Sequence, residues 1–360
     1  MRALPVFRGR GAAENPPDRF EPIDLVLDGD ELDAELAEHG ALVAPRTQLL
    51  RDTTRTIIAR NDSPDVSFET SVNPYRGCEH GCAYCFARPF HEYLGFSSGL
   101  DFETRILVKL DAAELLRTEL ASPRWTPQVI VMSGVTDPYQ PIERKLRITR
   151  GCLEVLAEAR NPVAIITKNH LVTRDIDLYT ELAAHGAAAV NVSLTTLRND
   201  LQSVMEPRTS IPARRLAAVE QLARAGVPVG IMVAPLIPGL TDEEMPAILR
   251  AARDAGAQWA GYVTLRLPHA VKELFDAWLA RHFPERRDKV LNRVREMRGG
   301  KLYDSRWGMR GRGEGEMADQ LGALFRAARR KAGYPDDAHG ELSTAAFRPP
   351  SLTGQLALFD

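Results

Sequence analysis

No run of about 18 uninterrupted apolar residues occurs in the 360-residue chain, so no membrane-spanning helix is expected. The opening segment RALPVFRGRGAAENPPDRFE lacks the apolar core of a secretory signal, and the expected location is the cytoplasm. Net charge is nearly absent: 46 Lys and Arg against 48 Asp and Glu leave −2, which points to no class of partner. Cysteine is scarce. Four residues in a reducing compartment suit ligands or buried thiols better than a disulfide framework. What remains, 44% hydrophobic and 26% charged, is an ordinary globular composition with material for a sizeable core.

Three of the four cysteines are crowded together. Cys78, Cys82 and Cys85 lie in PYRGCEHGCAYCFARP, spaced Cys-x3-Cys-x2-Cys, with Tyr84 just before the last. Thiolates this close repel one another and oxidise unless a metal neutralises them. A structural zinc site closes with four ligands, and a fully ligated iron–sulfur cube takes four thiolates. Three thiolates on a cube leave one iron open. Zinc would have to recruit His80 or the distant Cys152, and the repeated Cys-x2-Cys pair usual for zinc is missing. A disulfide between two of the three is disfavoured without a secretory signal.

The loop PYRGCEHGCAYCFARP resembles the cluster motif of radical S-adenosylmethionine (SAM) enzymes, and within them the spore photoproduct lyase-like, or DNA repair photolyase-like, branch. The resemblance implies a [4Fe–4S] cluster on Cys78, Cys82 and Cys85. It also implies SAM chelated to the fourth iron, Tyr84 near the adenine, and cleavage to a 5′-deoxyadenosyl radical. Electrons would come from an external reductant such as a flavodoxin or ferredoxin.

From Ser67 onward, short β-branched runs alternate with helix-period segments. The strand candidates are SFETSVNPY, QVIVMSGVTD, PVAIITKN, AAAVNVSLTT, VPVGIMVAPLIPG and QWAGYVTLRLP. Continuous runs such as VIVM and VAIIT suit strands buried on both faces, as in a parallel sheet. Helix candidates include DAAELLRTEL and ARRLAAVEQLARAG. Thr241 and Glu244 read as a capping box, with Gly256 as the stop. This order indicates an α/β protein with a parallel barrel or open sheet, and the resemblance narrows it to a partial (βα)6 barrel of radical SAM type with a helical C-terminal addition. The expected divisions are a partly disordered N-terminal extension at 1–65, with its first twenty residues either disordered or laid over the domain; the barrel at 66–270; a basic helical region at 271–335; and a flexible tail at 336–360. Within the third, Lys272 to Met297 reads as helical, followed by a Gly/Arg-rich loop around Trp307 and a last helix.

Each strand end can be asked what it offers the cofactor. The second ends SGVTD, where the resemblance places the methionyl amino group and Ser133, Thr136 and Asp137 supply oxygen acceptors; Asp137-Pro138 also reads as a turn. Lys168, after the third strand, matches a lysine near the methionyl carboxylate, and Ser193, ending the fourth, matches a ribose-binding position. Arg208 in MEPRT can clamp an anion or form a surface ion pair. Spore photoproduct lyases carry a hydrogen-donating cysteine in the segment matching SGVTD, whereas this chain has Gly134. A different substrate, or a different donor such as Tyr139, follows.

The chain ends GQLALFD, and Gln355, Leu356, Leu358 and Phe359 resemble the QLxLF peptide that binds the bacterial sliding clamp. Between Arg281 and Arg330, 14 Lys and Arg face 7 Asp and Glu, a balance that suits phosphates or a solvated helix face. The leading expectation is a radical SAM enzyme acting on DNA. The alternatives are a protein, tRNA or small-metabolite substrate, or a non-catalytic zinc adaptor between clamp and DNA.

Overall fold

The computed structural model of the protein describes residues 7, 9–20, 45–66, 68–132, 134–335 and 341–352. Its strands are β1 (Gln48–Arg51), β2 (Ile58–Arg60), β3 (Thr70–Val72), β4 (Tyr75–Arg76), β5 (Arg105–Val108), β6 (Ile130–Met132), β7 (Val163–Thr167), β8 (Ala188–Ser193), β9 (Val229–Leu236) and β10 (Trp259–Thr264). All six expected strands are present. They stand side by side in chain order, β3, β6, β7, β8, β9 and β10, and every neighbouring pair is parallel. β2 adds an antiparallel strand outside β3. β10 and β2 occupy opposite edges of this sheet, as a partial barrel requires.

Parallel neighbours need a crossover, and helices supply it. Those at Ile148–Ala159, Ile176–Ala183, Pro212–Arg224 and Met245–Asp254 cover one face, burying Leu153, Leu182, Leu222 and Leu249 against Ile165, Val190 and Ile231 of the strands. The opposite face mixes small residues, among them Ala164, Ala189, Gly230 and Gly261, with Ile166 and Met232. Trp259 lies over Gly230 in register on β9, and its indole N–H donates to Asn191 Oδ1 on β8 at 2.8 Å. A Cβ at position 230 would stand 2.0 Å from the indole nitrogen, so this crossing requires glycine.

Several elements differ from the sequence expectation. RILV forms β5, which joins β1 and β4 in a separate three-stranded sheet. The capping box is not formed: Thr241 Oγ1 accepts from the Ile237 amide, and Glu244 binds Thr196 Oγ1 and the Leu197 amide. A tertiary contact has taken both side chains. Gly256, at φ +101°, does follow the end of that helix. The stretch Lys272 to Met297 is two helices, Val271–His282 and Pro284–Glu296, because Pro284 has no amide hydrogen to continue the first. Within the expected flexible tail, residues 341–352 lie on the barrel, with Ser343 and Arg348 amides donating to the Gly186 and Ala159 carbonyls and Phe347 packed on the core. Residues 9–20 form an arm over the domain. Ser133 and the QLALF peptide lie outside the described residues.

Gly230→Val should destabilise the fold by about 1–3 kcal/mol through overpacking against Trp259. A lowered urea midpoint would register it, whereas an unchanged midpoint would show that the indole can move aside.

Candidate functional site

The cysteine loop leaves β4 at Gly77 and is gripped by segments that follow β4, β6 and β8. Gly77 has φ +81°, and a Cβ there would meet the Phe102 carbonyl at 3.0 Å. Thr136 Oγ1 donates to the Gly77 carbonyl at 2.7 Å, and Gln140 Oε1 accepts from the Glu79 amide at 2.9 Å. The Cys78 amide donates to the Phe102 carbonyl and the Ala83 amide to that of Met205. Arg208 pairs with Glu79 at 3.1 Å while its own amide donates to the His80 carbonyl. Arg88, fully buried, donates to the Cys82 carbonyl through two nitrogens and to Glu103 at 2.5 Å.

Inside this frame Cys78, Cys82 and Cys85 are unbridged, the first two buried and the third half-buried. Burial raises all three thiols; the charge of Asp137 adds to it at Cys78, that of Glu206 at Cys82, and Arg88 opposes it at Cys85. The sulfurs are close enough to raise one another, which a cationic cluster would reverse by taking up thiolates and releasing protons. Among the described residues, no three His, Cys, Asp or Glu side chains converge as a single metal ion requires. A cube takes each thiolate on a separate iron, so its ligands stand further apart, and the donor set fits it. Neither proposed zinc ligand is at hand. His80 Nδ1 faces Asp137 at 3.3 Å and its Nε2 faces the Asn169 amide at 3.2 Å, while Cys152 is buried in the apolar core.

Of the remaining candidates, Lys168 acts on the cysteines and Asp137 is spent on holding the loop. Lys168 lies 6.0 Å from the Tyr84 ring centre, donates to the Ala234 carbonyl, and acts on Cys82 and Cys85. Ser193 ends β8, nearly buried, its carbonyl held by Arg215. Asp137 accepts from Thr167, His80 and the Lys168 and Tyr139 amides. Burial alone would raise its pKa, but His80 and these donors hold it below the usual carboxylate range. Asp137 thereby makes the expected turn and ties β6 to β7. Tyr139 requires correction as a hydrogen donor: it is fully buried in the core, its hydroxyl bonded to Asp175 at 2.9 Å and Tyr179 at 2.6 Å, so it offers no accessible O–H.

Sequence reading undervalued Glu206. It is fully buried, accepts from Tyr84 and Thr195, and pairs with Arg215 at 2.5 Å. It therefore fixes the aromatic ring of the cysteine loop. Arg88, Glu103 and Asn169 were missed as well, although Arg88 lay inside the motif, and His80 was weighed only as a zinc ligand.

A loop of three cysteines at the carboxyl rim of a partial parallel barrel defines the class: a barrel enzyme built around a metal cluster with one open site. The family model of the Radical SAM superfamily matches residues 72–252, and the chain belongs to that superfamily. Membership makes it an enzyme that uses a [4Fe–4S] cluster and S-adenosylmethionine. An uncharacterized protein of Mycobacterium tuberculosis is 39% identical over 232 residues, 64% of this chain and 67% of that protein. A Pseudomonas phage M6 protein named radical SAM Nalpha-GlyT isomerase is 27% identical over 175 residues, 48% of this chain and 34% of that one. Among solved structures, a mutant spore photoproduct lyase with bound AdoMet and dinucleoside spore photoproduct matches with TM-score 0.57 and 17% identity, covering 85% of this chain and 92% of that one. At that identity the likeness is one of fold. Among the described residues, no helix is long and apolar enough to cross a membrane.

Burial by itself would raise the Glu206 pKa, yet the Arg215 and Lys168 charges and the Tyr84 hydrogen bond bring it from 4.5 down to about 2. Its stabilising charge is thus fully present above pH 4.5 and lost as pH falls through about 2. Glu206→Gln should cost about 3–5 kcal/mol at pH 7 by leaving Arg215 buried without its countercharge. It should also flatten the acid side of the stability profile; a variant with the native acid slope would contradict this assignment.

Proposed function

We propose that the chain is a radical SAM enzyme acting on nucleic acid, with Cys78, Cys82 and Cys85 as the cluster ligands. The observation that carries this reading is the buried three-cysteine loop at the strands' carboxyl ends, with the Lys168 ammonium beside it. When bound, the cluster and SAM supply a 5′-deoxyadenosyl radical. Lys168 offers a cation to the methionyl carboxylate, and Ser193 offers a small hydroxyl at the end of β8. Tyr84, its ring fixed by Glu206, keeps its expected role beside the adenine. Thr136, Asp137 and Arg208 hold the loop in shape, and with Ser133 they keep their expected role toward the cofactor on sequence alone.

Three observations support nucleic acid as the substrate class. The spore photoproduct lyase neighbour holds a dinucleoside lesion, the segment from Arg281 to Arg330 is strongly basic, and the tail resembles a clamp-binding peptide. The lesion itself would differ from spore photoproduct. At Gly134 the chain has a backbone amide bonded to Asn73 Oδ1 at 2.9 Å and no thiol to return a hydrogen atom. An external flavodoxin or ferredoxin would deliver the electron.

Anaerobic reconstitution should give iron uptake and a broad absorbance in the visible blue that Cys82→Ala loses. Deuterium from labelled damaged DNA should then appear in 5′-deoxyadenosine. Iron uptake without such transfer from any DNA substrate would send the search to proteins, tRNA or metabolites. Immobilised sliding clamp should retain the full chain but not one lacking residues 355–360; equal retention of both removes the clamp from the proposal.

A further inference from the structure

Next to the cysteine loop, aromatic rings and guanidinium groups alternate along the surface. Phe86, the residue after Cys85, is 40% exposed, and the Arg266 guanidinium stacks over it 4.7 Å from the ring centre. Arg266 follows the end of β10, and its buried Nε has no hydrogen-bond partner. Tyr303 and Arg310 are its electrostatic neighbours. Arg310 in turn stacks 4.0 Å over Trp307, which is 53% exposed, and is braced from below by Asp65 and Ser63. Residues 298–315, which carry much of this row, hold five Lys and Arg against two Asp and Glu. Both acids, Asp304 and Glu314, are engaged by Arg306.

We propose that this row, running from Trp307 to Phe86, is a docking track for a nucleic-acid strand with unpaired bases. The proposal rests on the nucleic-acid reading above and adds where the strand lies. Exposed ring faces accept bases by stacking without regard to sequence, and guanidinium groups supply charge for the phosphates. The surplus of positive charge over residues 298–315 favours a polyanion over a protein as the occupant. Because Phe86 adjoins Cys85, a strand on the track brings a nucleotide to the rim where the cysteine loop sits. The row thus joins the C-terminal basic region to the barrel mouth.

The test is an anisotropy titration of the full chain with a labelled oligothymidylate at low salt, read alongside tryptophan emission. Trp307→Ala should weaken binding roughly 5- to 100-fold, the range for loss of one base–aromatic stack. Trp307→Phe should keep most of the affinity, and Leu110→Ala, an exposed apolar residue outside the row, should bind as the native chain does. Emission of the native chain should be quenched on binding, because Trp307 is its most exposed tryptophan among the described residues. Native-like binding by Trp307→Ala overturns the track and leaves the nucleic-acid reading standing. A native chain that binds no oligonucleotide overturns both.

Discussion

The buried ion pair between Arg88 and Glu103 is the contact on which the cysteine loop depends. Neither side chain reaches solvent. Arg88 spends its other donors on the carbonyls of Cys82, Ser98 and Gly99, and Glu103 accepts from the Gly11 and Ala12 amides. One charge pair therefore ties together the loop, the helix Leu100–Thr104 and the N-terminal arm. Removing one partner of such a pair costs about 3–5 kcal/mol, because the other is left charged in a medium that cannot solvate it. The arm's close approach has its own steric condition. A Cβ on Gly11 would fall 1.8 Å from the Gly81 carbonyl oxygen, so the arm lies backbone to backbone on the loop.

The polar groups of the rim follow a single logic. Each is buried or nearly so, and each has a partner from a different strand end: Asp137 has Thr167 and His80, Glu206 has Tyr84 beside Arg215, and Glu79 has Arg208 and the Ile142 amide. Low dielectric makes such a network rigid when complete and costly when broken. Rigidity is what the chemistry needs, since a reactive group must be held in position and kept from water. The three thiols differ from these charged groups, since burial works against their ionisation. Burial keeps them protonated, and they are the groups with something still to gain from a cation.

Much of the fold was legible because parallel strands announce themselves. VIVM, VAIIT and VGIMVA are continuous apolar runs of strand length, the pattern of a parallel sheet, although Ala164 and Ile166 of VAIIT are only half-buried. β5 escaped notice because RILV joins a separate sheet, outside the strand–helix alternation that marked the others. The paired helices at 271–296 showed their buried stripe plainly, but the break at Pro284 marked a change of direction that the stripe could not reveal. At the rim, the cysteine spacing and Lys168 were readable from local motifs. Glu206 looked like one more charged residue before a helix, and Tyr139 like an accessible phenol, because nothing in their neighbours' identities states which way they face.

The sequence by itself determined the family, the order of the parallel strands, and the three thiols with one place left open. Those properties are written in local spacing and in runs of residue type, which short-range sterics and hydrophobic burial convert directly into structure. The tertiary structure alone decided which polar residues hold the loop, that residues 341–352 lie on the barrel, and that Phe86, Arg266, Arg310 and Trp307 form one continuous surface. Many of these depend on distant segments meeting in space, as Thr136 does with Gly77 and Arg266 with Phe86. A charge's partner is chosen by whatever the fold brings within reach of it, and no local pattern carries that information.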